Sequence, residues 1–235
     1  MTITASYGQF CPVAMASEIL CSRWTPLILR EFICGSTRFN DLRRGLPRIS
    51  PALLSKRLKE MESAGLVVHD CEGNYRLTES GLALRPIILA LGHWAQSWLE
   101  SDVSLRNLDP SLLMWDMRRN IEVSQLPQGR KVIHFVYRDL APNKQKHWLV
   151  VDGQGVDLCY IDPGFDIDLY VECDLKTMTM IWMGLSTIDA ERKAGRLDLE
   201  GDRQLAISMQ IWLGLSSFAG TPQRSENAVK LALAS

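Results

Sequence analysis

The stretch from Ser50 to Thr78 constrains this chain most, because local rules fix its structure before any tertiary argument is needed. Ser50 supplies a capping hydroxyl, and Pro51 has the fixed φ that suits a first helical position. Leu54, Leu58 and Met61 then recur at helical spacing, giving one apolar stripe on a helix from Pro51 to about Ala64, ended by Gly65. Leu66–Asp70, a turn at Cys71–Asn74 and Tyr75–Thr78 read as strand, turn and strand, which is a hairpin. The helix face away from the stripe carries Ala52, Ser55, Lys56 and Lys59.

Helices are predicted on both sides. Pro12 opens one, with Val13, Ala16, Ile19 and Leu20 at helical spacing. A second covers Trp24–Cys34, with Leu27, Ile28, Phe32 and Ile33 as its buried residues and Gly35 as its stop. Phe39–Leu46 is a short amphipathic helix closed by Pro47. After the hairpin, Thr78 and Gly81 open one long helix to about Glu100, apolar at Leu84, Ile87, Ile88, Leu91, Trp94, Ala95 and Trp98.

Charge gives this arrangement a purpose. The whole chain carries a formal net charge of −1, yet Arg38, Arg43, Arg44, Arg48, Lys56, Arg57 and Lys59 crowd one short stretch. A local basic patch, not the global sum, is the footprint of nucleic-acid binding. The order short helix, turn, basic helix, hairpin is that of a winged helix-turn-helix domain, whose second helix enters the major groove. Ser50 and the exposed face of Ala52, Ser55, Lys56 and Lys59 then meet DNA. Ser55 and Lys56 are placed for base edges, and Ala52 for a thymine methyl. Arg43, Arg44, Arg48 and Arg57 suit phosphates, which position without reading sequence. Arg76 on the return strand, with His69 and Asn74 nearby, suits the flanking backbone or minor groove. The competing reading is a solvated basic face on a helical bundle, which leaves the cap, the hairpin and the local charge as coincidences.

Beyond Ser101–Pro110 the character changes. Extended runs at Lys131–Tyr137, His147–Val151, Val156–Ile161 and Asp168–Cys173 precede helical patterns at Leu175–Met183, Thr187–Ala194 and Asp202–Leu215. Strands followed by helices predict an α+β domain. The expected organisation is a mainly α winged helix-turn-helix domain over 1–102, an α+β domain over 103–220 and a flexible tail over 221–235. Hydrophobic residues make up 46% of the chain and charged residues 23%, a balance that supports a real core. No apolar run is long enough to span a bilayer and the N-terminus does not read as a signal peptide, so a cytoplasmic protein with no membrane partner is expected.

Six cysteines at irregular spacing, without a CxxC pair, argue against a zinc site and a disulfide framework. Asp168, Asp174 and Asp202 fall at element ends, where capping explains them better than a metal does. His69, His93, His134 and His147 are isolated, and no nucleophile or phosphate-loop motif occurs. No catalytic residue, metal or cofactor is expected.

The motifs of the first half, taken together, resemble the HxlR family of winged-helix regulators. They are Cys11-Pro12-Val13, Arg23-Trp24-Thr25, Leu27–Glu31, Arg38-Phe39, Leu42-Arg43, Ile49-Ser50-Pro51, Leu54-Ser55, Arg57-Leu58, Gly65-Leu66-Val67, Leu77-Thr78 and Gly81. The resemblance covers about residues 7–100, with Cys21-Ser22 standing where the family usually has a Gly-Gly or Gly-Lys-like pair before the tryptophan. It implies a dimeric transcriptional regulator of double-stranded DNA. The first helix and the helix from Gly81 to Glu100 pair two subunits of a homodimer, and two recognition helices read an inverted-repeat operator. Some members use a cysteine in the position of Cys11 as a sensor of oxidants or electrophiles. Two readings of Cys11 stand open: a redox-reactive thiol activated at a helix N-terminus, or a small apolar filler.

From Asp109 to about Phe218 the chain resembles the sterol carrier protein type 2-like domain. The resemblance rests on Trp148–Gly153, Val156–Pro163, Asp168–Thr177, Trp182, Gly184, Ala194–Asp202 and Trp212-Leu213. It implies a curved, mostly antiparallel sheet covered by helices, with a tunnel for an apolar small molecule or lipid. Candidate lining groups are Phe135, Trp148, Tyr160, Tyr170, Met178, Ile181, Trp182, Met209 and Trp212. The alternatives are a filled core that serves dimerisation, or a lipid carrier with an attached DNA-binding module.

Overall fold

A computed structural model describes residues 6–99, 105 and 107–222. The chain divides into two compact units, Met1–Gly92 and His93–Ser235. The expected tail lies almost wholly outside the described residues.

The first unit opens with α1 (Pro12–Leu20) and α2 (Thr25–Ile33), followed by α3 (Phe39–Arg44) and α4 (Pro51–Ser63). Strands β1 (Val67–His69) and β2 (Tyr75–Leu77) form the hairpin, and α5 (Glu79–Ala83) follows it. Ile28, Leu29, Leu42, Leu46, Ile49, Leu54, Leu58 and Met61 form the core, so α2, α3 and α4 meet along their apolar stripes. Leu27, expected inside, is exposed, and Leu29 takes the buried position. Ile28 and Phe32 are buried as expected, so the stripe differs only at its edge.

The expected single helix after the hairpin is two helices. The first is α5, and α6 runs Arg85–Trp98, with a break at Leu84. Pro86 has no amide hydrogen for the carbonyl four residues back and its ring crowds that turn, so a continuous helix is disfavoured there.

The next described helix is α7 (Pro110–Arg118), for which the sequence offers no prediction; Asp109 caps it by accepting from the amides of Ser111 and Leu112. Strands β3 (Lys131–Tyr137), β4 (Lys146–Asp152) and β5 (Gly155–Cys159) form a meander, with the one-turn α8 (Pro142–Gln145) between β3 and β4. Strand β6 (Leu169–Cys173) then pairs in parallel with β3. Helices α9 (Leu175–Trp182) and α10 (Ile188–Lys193) lead to β7 (Leu197–Gly201), and α11 (Arg203–Trp212) closes the unit. The five strands run in the order β5-β4-β3-β6-β7, a mixed sheet in which only β3 and β6 are parallel.

Alternation along the strands divides the sheet's side chains between two faces. Ile133, Phe135 and Tyr137 of β3, Leu149 and Val151 of β4, and Leu169, Val171 and Cys173 of β6 meet helix residues Met114, Met178, Ile181, Met209 and Trp212 in one core. Val132, Trp148 and Val150 are buried on the opposite face, with Cys159 and Ile167 packed against them. Of the three aspartates read as caps, Asp202 accepts from the amides of Gln204 and Leu205. Asp174 holds the N-cap position of α9 without a side-chain bond, and Asp168 accepts from the Val132 amide at 2.7 Å, joining the strand starts.

Candidate nucleic-acid interface

The helix-turn-helix is set by a polar contact at its corner. Glu31 is fully buried on α2, and its carboxylate takes the Arg30 guanidinium at 2.5 Å and the Ser36 hydroxyl at 3.2 Å. Arg30 also donates to the Gly45 carbonyl at 2.9 Å, the residue that ends α3. A buried carboxylate needs such partners, and meeting them fixes where α3 stops. Leu46 and Ile49 then bury the turn that leads to Ser50.

Ser50 caps α4 as its sequence predicts, its hydroxyl accepting from the Leu53 amide at 3.3 Å. With Leu54, Leu58 and Met61 in the core, the opposite face of α4 is free. Ala52, Lys56 and Lys59 are exposed there and Ser55 is half-buried. Arg43, Arg44 and Arg48, on α3 and the turn, are exposed beside this helix in sequence, and Arg44 lies 3.4 Å from Asp41. Lys56 is 3.9 Å from Glu60, an exposed pair too loose to hold it.

Arg57 is the residue that the structure places differently from a free phosphate ligand. Its Nε donates to the Arg23 carbonyl at 3.1 Å, its Nη1 meets Glu60 at 2.5 Å, and only 19% of its side chain is exposed. The guanidinium therefore joins α4 to the turn between α1 and α2. That turn holds Trp24 at φ 82°, a left-handed conformation unusual for a residue with a side chain. No sequence motif signals this bond, because its acceptor is a backbone carbonyl.

The hairpin is held at both ends. The Tyr75 amide donates to the Thr37 carbonyl at 2.7 Å, and Thr78 Oγ1 donates to the Gly65 carbonyl at 2.6 Å. At its tip Asp70 accepts from the amides of Glu72 and Asn74, and the Asn74 bond is the main reason its carboxyl sits below the ordinary value. Arg76 is exposed but donates to Asp70 at 3.2 Å, so its charge is partly offset before any DNA arrives. His69 stacks on Tyr75 at 4.2 Å across the hairpin instead of reaching outward alone.

Two helices present apolar side chains to solvent. On and beside α1, Phe10 is 99% exposed, and Val13, Met15 and Ile19 are also exposed. On α6, Ile87, Leu91, Trp94 and Trp98 share one exposed side. Cys11 is the N-cap residue of α1, half-buried, and its thiol makes no capping bond.

The expected tunnel lining converges only in part. Phe135, Met178, Ile181, Trp182, Met209 and Trp212 are buried together in the core between sheet and helices. Trp148 and Tyr170 lie on the sheet's other face, since each pairs in register with His134 and not with Phe135. Tyr160 follows β5 and is exposed, its ring 5.6 Å from His147. The alternation of a strand separates neighbours that a linear reading groups together. A surface groove of about 550 Å³ between α10 and β7 is lined by the charged Asp189, Arg192, Lys193, Asp198 and Glu200 together with Leu197 and Leu199.

The geometry of the first unit defines a class, a winged helix-turn-helix domain with its second helix open to solvent. Comparison with known proteins agrees. Residues 19–103 match the family described as HxlR-like helix-turn-helix. YvaP of Bacillus subtilis, an HTH-type transcriptional regulator, is 37% identical over 100 residues, which are 40% of this chain and 93% of that protein. YodB of the same organism is 32% identical over 100 residues, covering 40% of this chain and 89% of YodB. A crystal structure of quinone-bound YodB aligns at 34% identity over 37% of this chain and 97% of its own, with a TM-score of 0.34. The chain belongs to the HxlR-like helix-turn-helix family of transcriptional regulators. No described helix is long and apolar enough to cross a membrane.

Proposed function

We propose that this protein is a homodimeric regulator that reads an inverted repeat in double-stranded DNA with the N-terminal half of α4. The observation that carries the reading is the free face of Ala52, Ser55, Lys56 and Lys59 opposite a fully packed apolar stripe. Ser55 and Lys56 contact base edges; Arg43, Arg44, Arg48 and Lys59 contact phosphates; Arg76 reaches the flanking backbone. Arg57 contributes by holding α4 against the Arg23 carbonyl. The apolar sides of α1 and α6 are the dimer surface, since exposed aromatic and aliphatic side chains in that number mark an interaction site. An electrophoretic shift on the DNA upstream of the protein's own gene tests the reading. A shift that Lys56→Ala weakens supports it, and an unaffected shift removes α4 from the interface.

The second unit, a sterol-carrier-like α+β module in this proposal, acts as a scaffold for the dimer. The closed packing of Phe135, Met178, Met209 and Trp212 favours that role over an open acyl tunnel. Native mass spectrometry separates the two: a co-purifying lipid marks an apolar effector site, and the bare chain mass marks the scaffold.

A second reading concerns Cys11. Cys11 is a free, half-buried cysteine at the N-terminus of α1 whose thiol makes no capping bond, which suits a redox-reactive site. Diamide is then expected to change operator affinity in the wild type and not in Cys11→Ser; equal responses overturn a sensor at this position.

A further inference from the structure

The face of the sheet turned away from the helices holds a row of chemically capable side chains. Register pairing aligns Cys159, Trp148, His134, Tyr170 and Glu200 across all five strands. His134 and Trp148 stand as parallel rings, 4.5 Å apart with an interplanar angle of 4°, and the Tyr170 ring meets His134 edge-on at 5.5 Å. Both central residues are only 6% exposed. Even so, among the described residues neither nitrogen of His134 nor the indole N–H of Trp148 has a hydrogen-bond partner. Buried polar groups are nearly always satisfied, so three orphaned nitrogens on two touching rings call for an explanation. Tyr170 and Glu200 are exposed, which opens the row to solvent on its β6–β7 side.

We infer that this face binds a small, neutral, flat compound carrying hydrogen-bond acceptor oxygens, of the aryl ketone or aromatic lactone class, with Trp148 and His134 as its anchors. Indole N–H is a donor only, so the ligand has to present an acceptor. Burial pushes the imidazolium of His134 down, leaving a neutral ring with one donor and one acceptor nitrogen. The surrounding charges exclude an anion. Asp162 and Glu172 act on His134 electrostatically and Glu200 ends the row, against the single cation Lys146 that acts on His134. Arg138 is bound to Glu172 and Asp198 and offsets them, so the balance rests on Asp162 and Glu200 against Lys146. Aromatic rings at the site favour a flat ligand by edge or face contact. The site lies apart from the core between sheet and helices, and it stands whether or not α4 binds DNA.

The test uses the full chain labelled with 15N and follows its seven tryptophan indole signals. Trp148→Phe assigns the Trp148 signal, and the other indole signals, unmoved, show that the variant is folded. Coumarin is the probe, with benzoate as the anionic comparison. The Trp148 signal is expected to move and saturate with coumarin, and His134→Leu is expected to weaken that binding about tenfold. A Trp148 signal that stays fixed to millimolar coumarin overturns the site. Tighter binding of benzoate overturns the ligand class, and unchanged coumarin binding in His134→Leu removes His134 as an anchor.

Discussion

The α-carbon of Gly45 lies against the carboxylate of Glu31, so close that a methyl group there would overlap both carboxylate oxygens. This contact lets the end of α3 approach α2, with Arg30 bonded to both residues. Gly45→Ala is expected to force the buried carboxylate from its partners. The cost of overpacking a tight site is about 1–3 kcal/mol, seen as a lower urea midpoint. Operator affinity is expected to fall with it, because the turn into α4 begins at this point.

Substitutions on the DNA face are expected to separate by mechanism. Ser55→Ala and Lys56→Ala should relax base preference, each specific contact being worth about 1–3 kcal/mol. Arg48→Ala should weaken all sequences alike and reduce the salt slope by about 1. Arg57→Lys keeps the charge and loses the bond from Nε to the Arg23 carbonyl. It is expected to lower affinity with the salt slope unchanged. Binding isotherms at several salt concentrations check all three.

Leu91→Glu together with Trp94→Glu places two carboxylates on the exposed apolar side of α6. Sedimentation velocity is expected to show a monomer and fluorescence anisotropy a loss of operator binding. A dimer that persists would move the subunit interface elsewhere.

Acid should destabilise the second unit through its buried histidines. Burial holds His147 down at about 4 against an ordinary 6.5, and it lowers His134 as well. The unfolded chain therefore binds protons that the folded chain does not between those values. Stability from this source is complete above about pH 6.5 and declines as pH falls towards 4, by on the order of 2–3 kcal/mol for His147. Thermal melts across that range are expected to flatten in His147→Gln.

Elements with local signals are legible in the amino-acid order. The hydroxyl of Ser50, the ring of Pro51 and the stripe of Leu54, Leu58 and Met61 define α4 within one segment, and it forms where they place it. Four strands of the second unit were equally legible from runs of β-branched and apolar residues, while β7 and α7 were not. The segment of β7 is short and polar, and it becomes a strand because the edge of β6 is open to pair with it. Tertiary structure decided the rest, because it depends on residues far apart in the chain. The tie from Arg57 to the Arg23 carbonyl, 34 positions away, is one such contact. Parallel pairing of β3 with β6 decided that Phe135 enters the core while His134, Trp148 and Tyr170 share the other face. Alternation in a strand says which residues part company, and only the packed sheet says which side receives the helices.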